Sequence, residues 1–160
     1  MANFAHSIHD VGHQASAYKH CELLITSVLS QWIDVIEEPS ARAMCGSHAH
    51  IHADHAQLWH SRIPILWDKD ASTWTIDSED ALVTKVAQLA TNSPTSTTAK
   101  LELMYHNVLP ALLQTYGAHL ATVDPRVDPA TARTLQTCVV DTRDHIEHAV
   151  EVIARLKSAS

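Results

Sequence analysis

Glycine is scarce in this chain, with 3 residues in 160. β-Hairpins rely on glycine for tight turns, and dinucleotide-binding folds rely on it for phosphate loops. Both architectures are therefore disfavoured. Basic residues are also few: 11 Lys and Arg stand against 18 Asp and Glu, for a net charge of −7. They form no cluster, so the chain lacks the basic face that nucleic-acid binding requires. The three cysteines, Cys21, Cys45 and Cys138, are far apart and form no CxxC pair. That argues against a disulfide framework or a zinc–thiolate site and fits reduced thiols in a cytoplasmic protein. The N-terminal MANFAHSIHD has no basic segment followed by an apolar run, unlike a secretory signal. No apolar stretch approaches the roughly 18 residues of a membrane span.

What is present is an ordinary apolar fraction, 46%, and an extraordinary number of histidines, 13. The length suits one domain over residues 1–160. Four long segments follow the helical period. The first runs from about Ser16 to Glu38 and carries Tyr18, Cys21, Ile25, Leu29, Trp32 and Ile36 on one stripe; Pro39 ends it. The second starts with Ser40 as N-cap and reaches about Leu66, with Pro64 distorting its last turn. Residues 68–77 read as a loop. Ser78 then caps a short helix from Glu79 to Thr91. The third long helix spans about Thr98 to Thr122, with a kink expected at Pro110. Asp128 and Pro129 open the fourth, which runs to about Lys157. Short turns join the first pair and the second pair. A long connection with its own short helix joins the pairs. The expected fold is all-α, a four-helix bundle with one long crossover.

A helix turns about 100° per residue, which places each side chain of the second helix. Met44, His48, His52, His55, Trp59 and Ile63 share one face, while His50, Asp54 and His60 point elsewhere. Three imidazoles thus lie where an apolar stripe belongs. Burying them requires hydrogen bonds or a metal. Heights can be matched too, because an antiparallel hairpin brings residues equidistant from its turn to one level. Glu22 lies 17 residues before Pro39 and His55 lies 16 after it. In the second hairpin Glu102 lies 23 residues before Pro125, and His145 lies 20 after it. Asp141 and Asp144 project further from the inner face and rank lower. Glu22, His52, His55, Glu102 and His145 are the candidate metal ligands, and Glu22, His48 and His52 are the candidate catalytic groups. Imidazole with carboxylate suits iron, manganese, zinc or copper. Tyr18, Tyr105 and Tyr116 are expected in the core with satisfied hydroxyls, and Trp32 and Trp59 as core fillers.

The pattern resembles the ferritin-like superfamily, in particular its small bacterial members, across residues of about 10 to 157. In that family two helices each supply a Glu and two each supply Glu-x-x-His to a pair of metal ions that activate dioxygen. Glu22 matches the first-helix glutamate, His55 the second-helix histidine, Glu102 the third-helix glutamate and His145 the fourth-helix histidine. His52 and Thr142 stand where the family has the remaining glutamates. The resemblance implies an iron-dependent oxidoreductase or oxygenase acting on a small organic substrate, and a homodimer. Manganese, copper and zinc remain compatible with the donor types. Two alternatives stay open. One is a metal-free enzyme using the His/Glu cluster as acid and base in an isomerase, cyclase or hydrolase reaction. The other is a non-catalytic protein that binds metal or a small ligand.

Overall fold

The computed structural model describes residues 7–68, Trp74 and 80–159. It is all-helical, with no β-strand among the described residues. The elements are α1 (Ile8–Ile33), α2 (Pro39–His60), α3 (Ala81–Thr91), α4 (Thr97–Leu103), a π-helical turn (Met104–Val108), α5 (Leu109–Leu120) and α6 (Pro129–Ser158). Helix α1 packs along α2 and α3, α5 packs along α6, and α2 and α4 also meet α6. No described helix is long and apolar enough to cross a membrane.

Local chemistry explains where these helices begin and end. Helix α1 starts eight residues before the expected Ser16. Ser7 and Asp10 form a reciprocal capping box there, with Asp10 N–H donating to Ser7 Oγ at 3.2 Å and Ser7 N–H to Asp10 Oδ2 at 2.9 Å. The helix stops at Ile33, short of Glu38, and the Val35 and Ile36 amides both turn back to the Trp32 carbonyl. Glu38 is extended and caps α2 itself, accepting the Ser40 and Ala41 amides. Ser40 is therefore not the cap, and Pro39 occupies the first turn, where its missing N–H is harmless. Helix α2 ends at His60, earlier than Leu66, and single turns carry the chain to Pro64. The expected cap at Ser78 lies outside the described residues. Asp80 caps α3 through the Leu82 and Val83 amides. Asp128 caps α6 as the sequence indicates, accepting the Thr131 amide at 3.0 Å.

The disturbance expected at Pro110 falls one turn earlier. Pro110 cannot donate to the carbonyl four residues before it. The chain widens into a π turn at Met104–Val108, and Leu109 N–H reaches back to Met104 C=O. Tyr105 lies in this turn, fully buried.

The interior is continuous. Ile25, Leu29, Ile36, Leu101, Leu109 and Leu112 are completely buried and join Trp32 and Trp59 in one cluster. Cys21, Cys45 and Cys138 are free and buried within it. Trp74, in the connection after α2, lies flat against α1. A Cβ added at Gly12 would come within 2.6 Å of its ring. The glycine is required here by contact, not by backbone conformation. Gly12→Ala is expected to push Trp74 off this seat and destabilise the protein by about 1–3 kcal/mol, read as a lowered thermal midpoint. An unchanged midpoint would mean that Trp74 does not anchor the connection.

Candidate metal centre

The centre grows from one buried carboxylate. Glu22 sits in the middle of α1, where the stripe of Tyr18, Ile25 and Leu29 faces inward, and its side chain is 0% exposed. A carboxylate there must be satisfied by the protein. His52 Nδ1–H donates to Glu22 Oε2 at 2.5 Å. Oε1 accepts the Tyr116 hydroxyl at 2.5 Å and the His55 Nδ1–H at 3.3 Å. The Tyr116 oxygen in turn accepts Trp59 Nε1–H at 3.1 Å.

The outer nitrogens of both imidazoles are also engaged. His55 Nε2–H donates to Asp141 Oδ2 at 2.9 Å. His52 Nε2 lies 3.3 Å from His145 Nδ1. The His145 ring stacks on His48, centroids 3.8 Å apart. His48 Nδ1 lies 2.8 Å from the Tyr105 hydroxyl, and His48 Nε2 lies 3.3 Å from His148 Nδ1. The α2–α6 seam is thus a ladder, His55–Asp141, His52–His145 and His48–His148. It arises because 48, 52, 55 on α2 and 141, 145, 148 on α6 keep helical three-and-four spacing on helices running in opposite directions.

The ladder has a charged end and a neutral end. Burial opposes the Glu22 charge, but His52 and His55 outweigh it and hold the carboxyl at about 2. Burial likewise opposes a charge on His55, yet its contacts with Cys138 and Glu22 push it up to about 11. Cys138 has its own thiol raised by burial and stays protonated at neutral pH, so carboxylate supplies the countercharge. At the other end, burial, helped by His148 and His52, lowers His48 to about 3. Burial, helped by His48, His52 and His55, lowers His145 to about 2. Both are neutral imidazoles with a nitrogen free to accept.

Of the residues expected as ligands, Glu22, His52 and His55 come together. One donor atom from each lies within 4.8 Å of the others. His145 is interior but meets His52 and is not part of this donor group. Glu102 does not belong to the centre. Its neighbour Leu101 takes the inward position, fully buried, while Glu102 turns about 100° away and pairs with Lys157 Nζ at 2.5 Å. Keeping a charge at the surface with a lysine avoids the desolvation that Glu22 must offset. His48 is buried at the neutral end, away from Glu22. Asp141 and Tyr116, which the helical projection did not select, are direct neighbours of the centre. Asp141 stands four residues before His145, one turn away on the same side of α6, and that spacing was its available signal. Tyr116 gave none beyond its place on the apolar stripe.

Taken together, helices and site define an all-helical protein with a buried carboxylate–imidazole cluster. No family model, curated protein or solved structure matches the chain.

Proposed function

We propose that this chain is a metal-dependent oxidoreductase with a ferritin-like helical architecture, holding one iron ion on Glu22, His52 and His55. The observation that carries the reading is the buried convergence of one carboxylate and two imidazoles within 4.8 Å. The donor set fits a metal on three further grounds. Each of the two imidazoles turns Nδ1 toward the shared carboxylate and has a partner for Nε2, as metal-ligating histidines do. Two carboxylates, Glu22 and Asp141, formally balance one divalent ion. Thr142 Oγ1, between Asp141 and His145 in the chain, is buried without a hydrogen-bond partner among the described residues.

Two imidazoles and one carboxylate are the donor set of non-haem ferrous oxygenases, in which the ion supplies one-electron chemistry with dioxygen and keeps positions open for a small organic substrate. The surrounding residues have separable tasks. Tyr116 donates to Glu22 Oε1 and fixes the carboxylate plane, and Trp59 holds the Tyr116 hydroxyl in turn. Asp141 accepts a hydrogen bond from His55 Nε2–H and so would leave Nδ1 as the ligating nitrogen. With an ion in place of the His52 Nδ1 proton, neutral His145 would accept from His52 Nε2–H and set the same tautomer there. Trp59, Tyr18 and Tyr116 form an aromatic wall with ring centroids 4.7–5.8 Å apart that keeps bulk water from the carboxylate.

The alternative with support of its own is metal-free acid–base chemistry, favoured by the position of His55 between two carboxylates. Elemental analysis of untagged protein separates the two. About one iron per chain is expected, with loss of the ion in His52→Ala/His55→Ala. A parent protein that neither retains nor takes up ferrous, manganous or zinc ions would overturn the metal reading and leave the acid–base one. Ion uptake without dioxygen consumption would overturn the oxidoreductase reading and leave a binding protein.

A further inference from the structure

A cavity lies beyond the aromatic wall, outside the donor set. It measures about 500 Å³ and is bounded by the start of α1, the end of α2, the cap of α3, the end of α5 and the start of α6. That volume is in the range of small-molecule sites, about 300–1,000 Å³. Its inner wall is Tyr18 and Trp59, which are 5% and 1% exposed. Its charged lining consists of Asp10, Asp80, Asp124 and Asp128, with no lysine or arginine among the lining residues.

These carboxylates are not equivalent. Asp124 pairs with Arg126 at 3.0 Å, and Asp128 with Arg62 at 3.1 Å. Those two are neutralised by partners and serve the turn and the α6 cap. Asp80 caps α3 with Oδ1 alone, so Oδ2 takes no part in the cap. It lines the cavity together with Tyr18 and Trp59, electron-rich rings of the kind that attract cations. A chain of net charge −7 adds a general attraction for positive ligands.

We infer that this cavity is a binding site for a small organic ammonium ion with an apolar or aromatic body, the body against Tyr18 and Trp59 and the charge toward Asp80. The site does not depend on the metal reading. The same wall links it to the centre, since Trp59 Nε1–H donates to the Tyr116 hydroxyl and that hydroxyl donates to Glu22. Phenethylammonium fits as a probe, with 2-phenylethanol as its neutral analogue and 3-phenylpropionate as its anionic one.

Binding is measured on the full chain by calorimetry and tryptophan fluorescence, with and without chelator. Phenethylammonium is expected to bind about tenfold more tightly than the alcohol, and the carboxylate least. Asp80→Asn keeps the helix cap, because asparagine caps as well as aspartate, and is expected to remove most of that preference. Thr115→Trp, at an exposed position on the rim, is expected to block all three probes. Chelator is expected to leave probe binding unchanged, which keeps this test independent of the metal centre. No binding of the ammonium probe at about 10 mM overturns the proposal, that concentration being weaker than any useful site. Equal affinity for the alcohol, or unchanged binding in either the Asp80 or the Thr115 variant, also overturns it.

Discussion

Glu22→Ala is expected to abolish metal retention and to lower the melting temperature of the metal-free protein by about 6–20 °C. That range follows from about 3–5 kcal/mol for breaking a buried charge cluster and about 2–4 °C per kcal/mol in a chain of this size. The carboxylate accepts from His52, His55 and Tyr116, and it is 0% exposed. Its removal leaves three donors facing a cavity, and His55 keeps only Asp141 for countercharge. Glu22→Gln separates volume from charge. It fills the space and can still accept from Tyr116, but its amide turns a donor toward an imidazole donor. It should therefore lose metal as completely as alanine while melting closer to the parent. Melts in chelator, paired with zinc or ferrous titrations, give both quantities. A Glu22→Ala protein that melts with the parent and still holds metal would sink both the energetic and the functional account of the centre.

The metal-free protein should be acid-labile well above the usual carboxylate range. His48 and His145 are neutral when folded, lowered to about 3 and about 2, first by burial. In the unfolded chain both titrate near 6.5. For groups of depressed pKa the stabilisation is full above the unfolded value and is lost as pH falls below it, because only the unfolded chain takes up the protons. Two such groups amount to about 4 kcal/mol between pH 7 and pH 5. Neither charged member of the cluster cancels this trend. Glu22, held at about 2, keeps its contribution until the pH falls below about 4.5. His55, raised to about 11, contributes fully below 6.5 and loses that contribution only as pH rises toward 11. Stability should therefore peak near pH 6.5–7 and fall on both sides, more steeply in acid. Urea unfolding at pH 7, 6 and 5 measures the acid limb, and His48→Gln should halve its slope. A flat stability across this window would show that the two imidazoles are not buried as neutral groups.

The centre was legible in the sequence to different depths. Glu22, His52 and His55 follow from short-range geometry. They lie on two helices joined by a turn of a few residues, so helical period and counting from Pro39 suffice to bring them level. The start of α1 was less legible, because polar His9, Asp10 and His13 mask a capping box that only local hydrogen bonding reveals. Glu102 shows where projection fails. Its height suited the centre, but a rotation of one residue around the helix separates an interior position from the surface, and Leu101 and Lys157 decided between them. Asp141 failed in the opposite sense. The projection set it further out than His145, and its reach to His55 depends on how closely α2 and α6 approach.

By itself, the sequence determined that the chain is all-helical, where most helix ends fall within a few residues, and that histidines and one glutamate occupy an interior stripe. These are properties of a single helix or hairpin, set by period, capping and proline. Only the tertiary structure decided which groups share the carboxylate. Tyr116 and Asp141 come from distant parts of the chain, and the rotation of α5 and α6 about their axes is set by packing of the whole core. Tertiary packing also divided the histidines into an ionised one between two carboxylates and two neutral ones beside each other. The protonation of an imidazole is governed by burial and by its neighbours, and neither is a property of its position in the sequence.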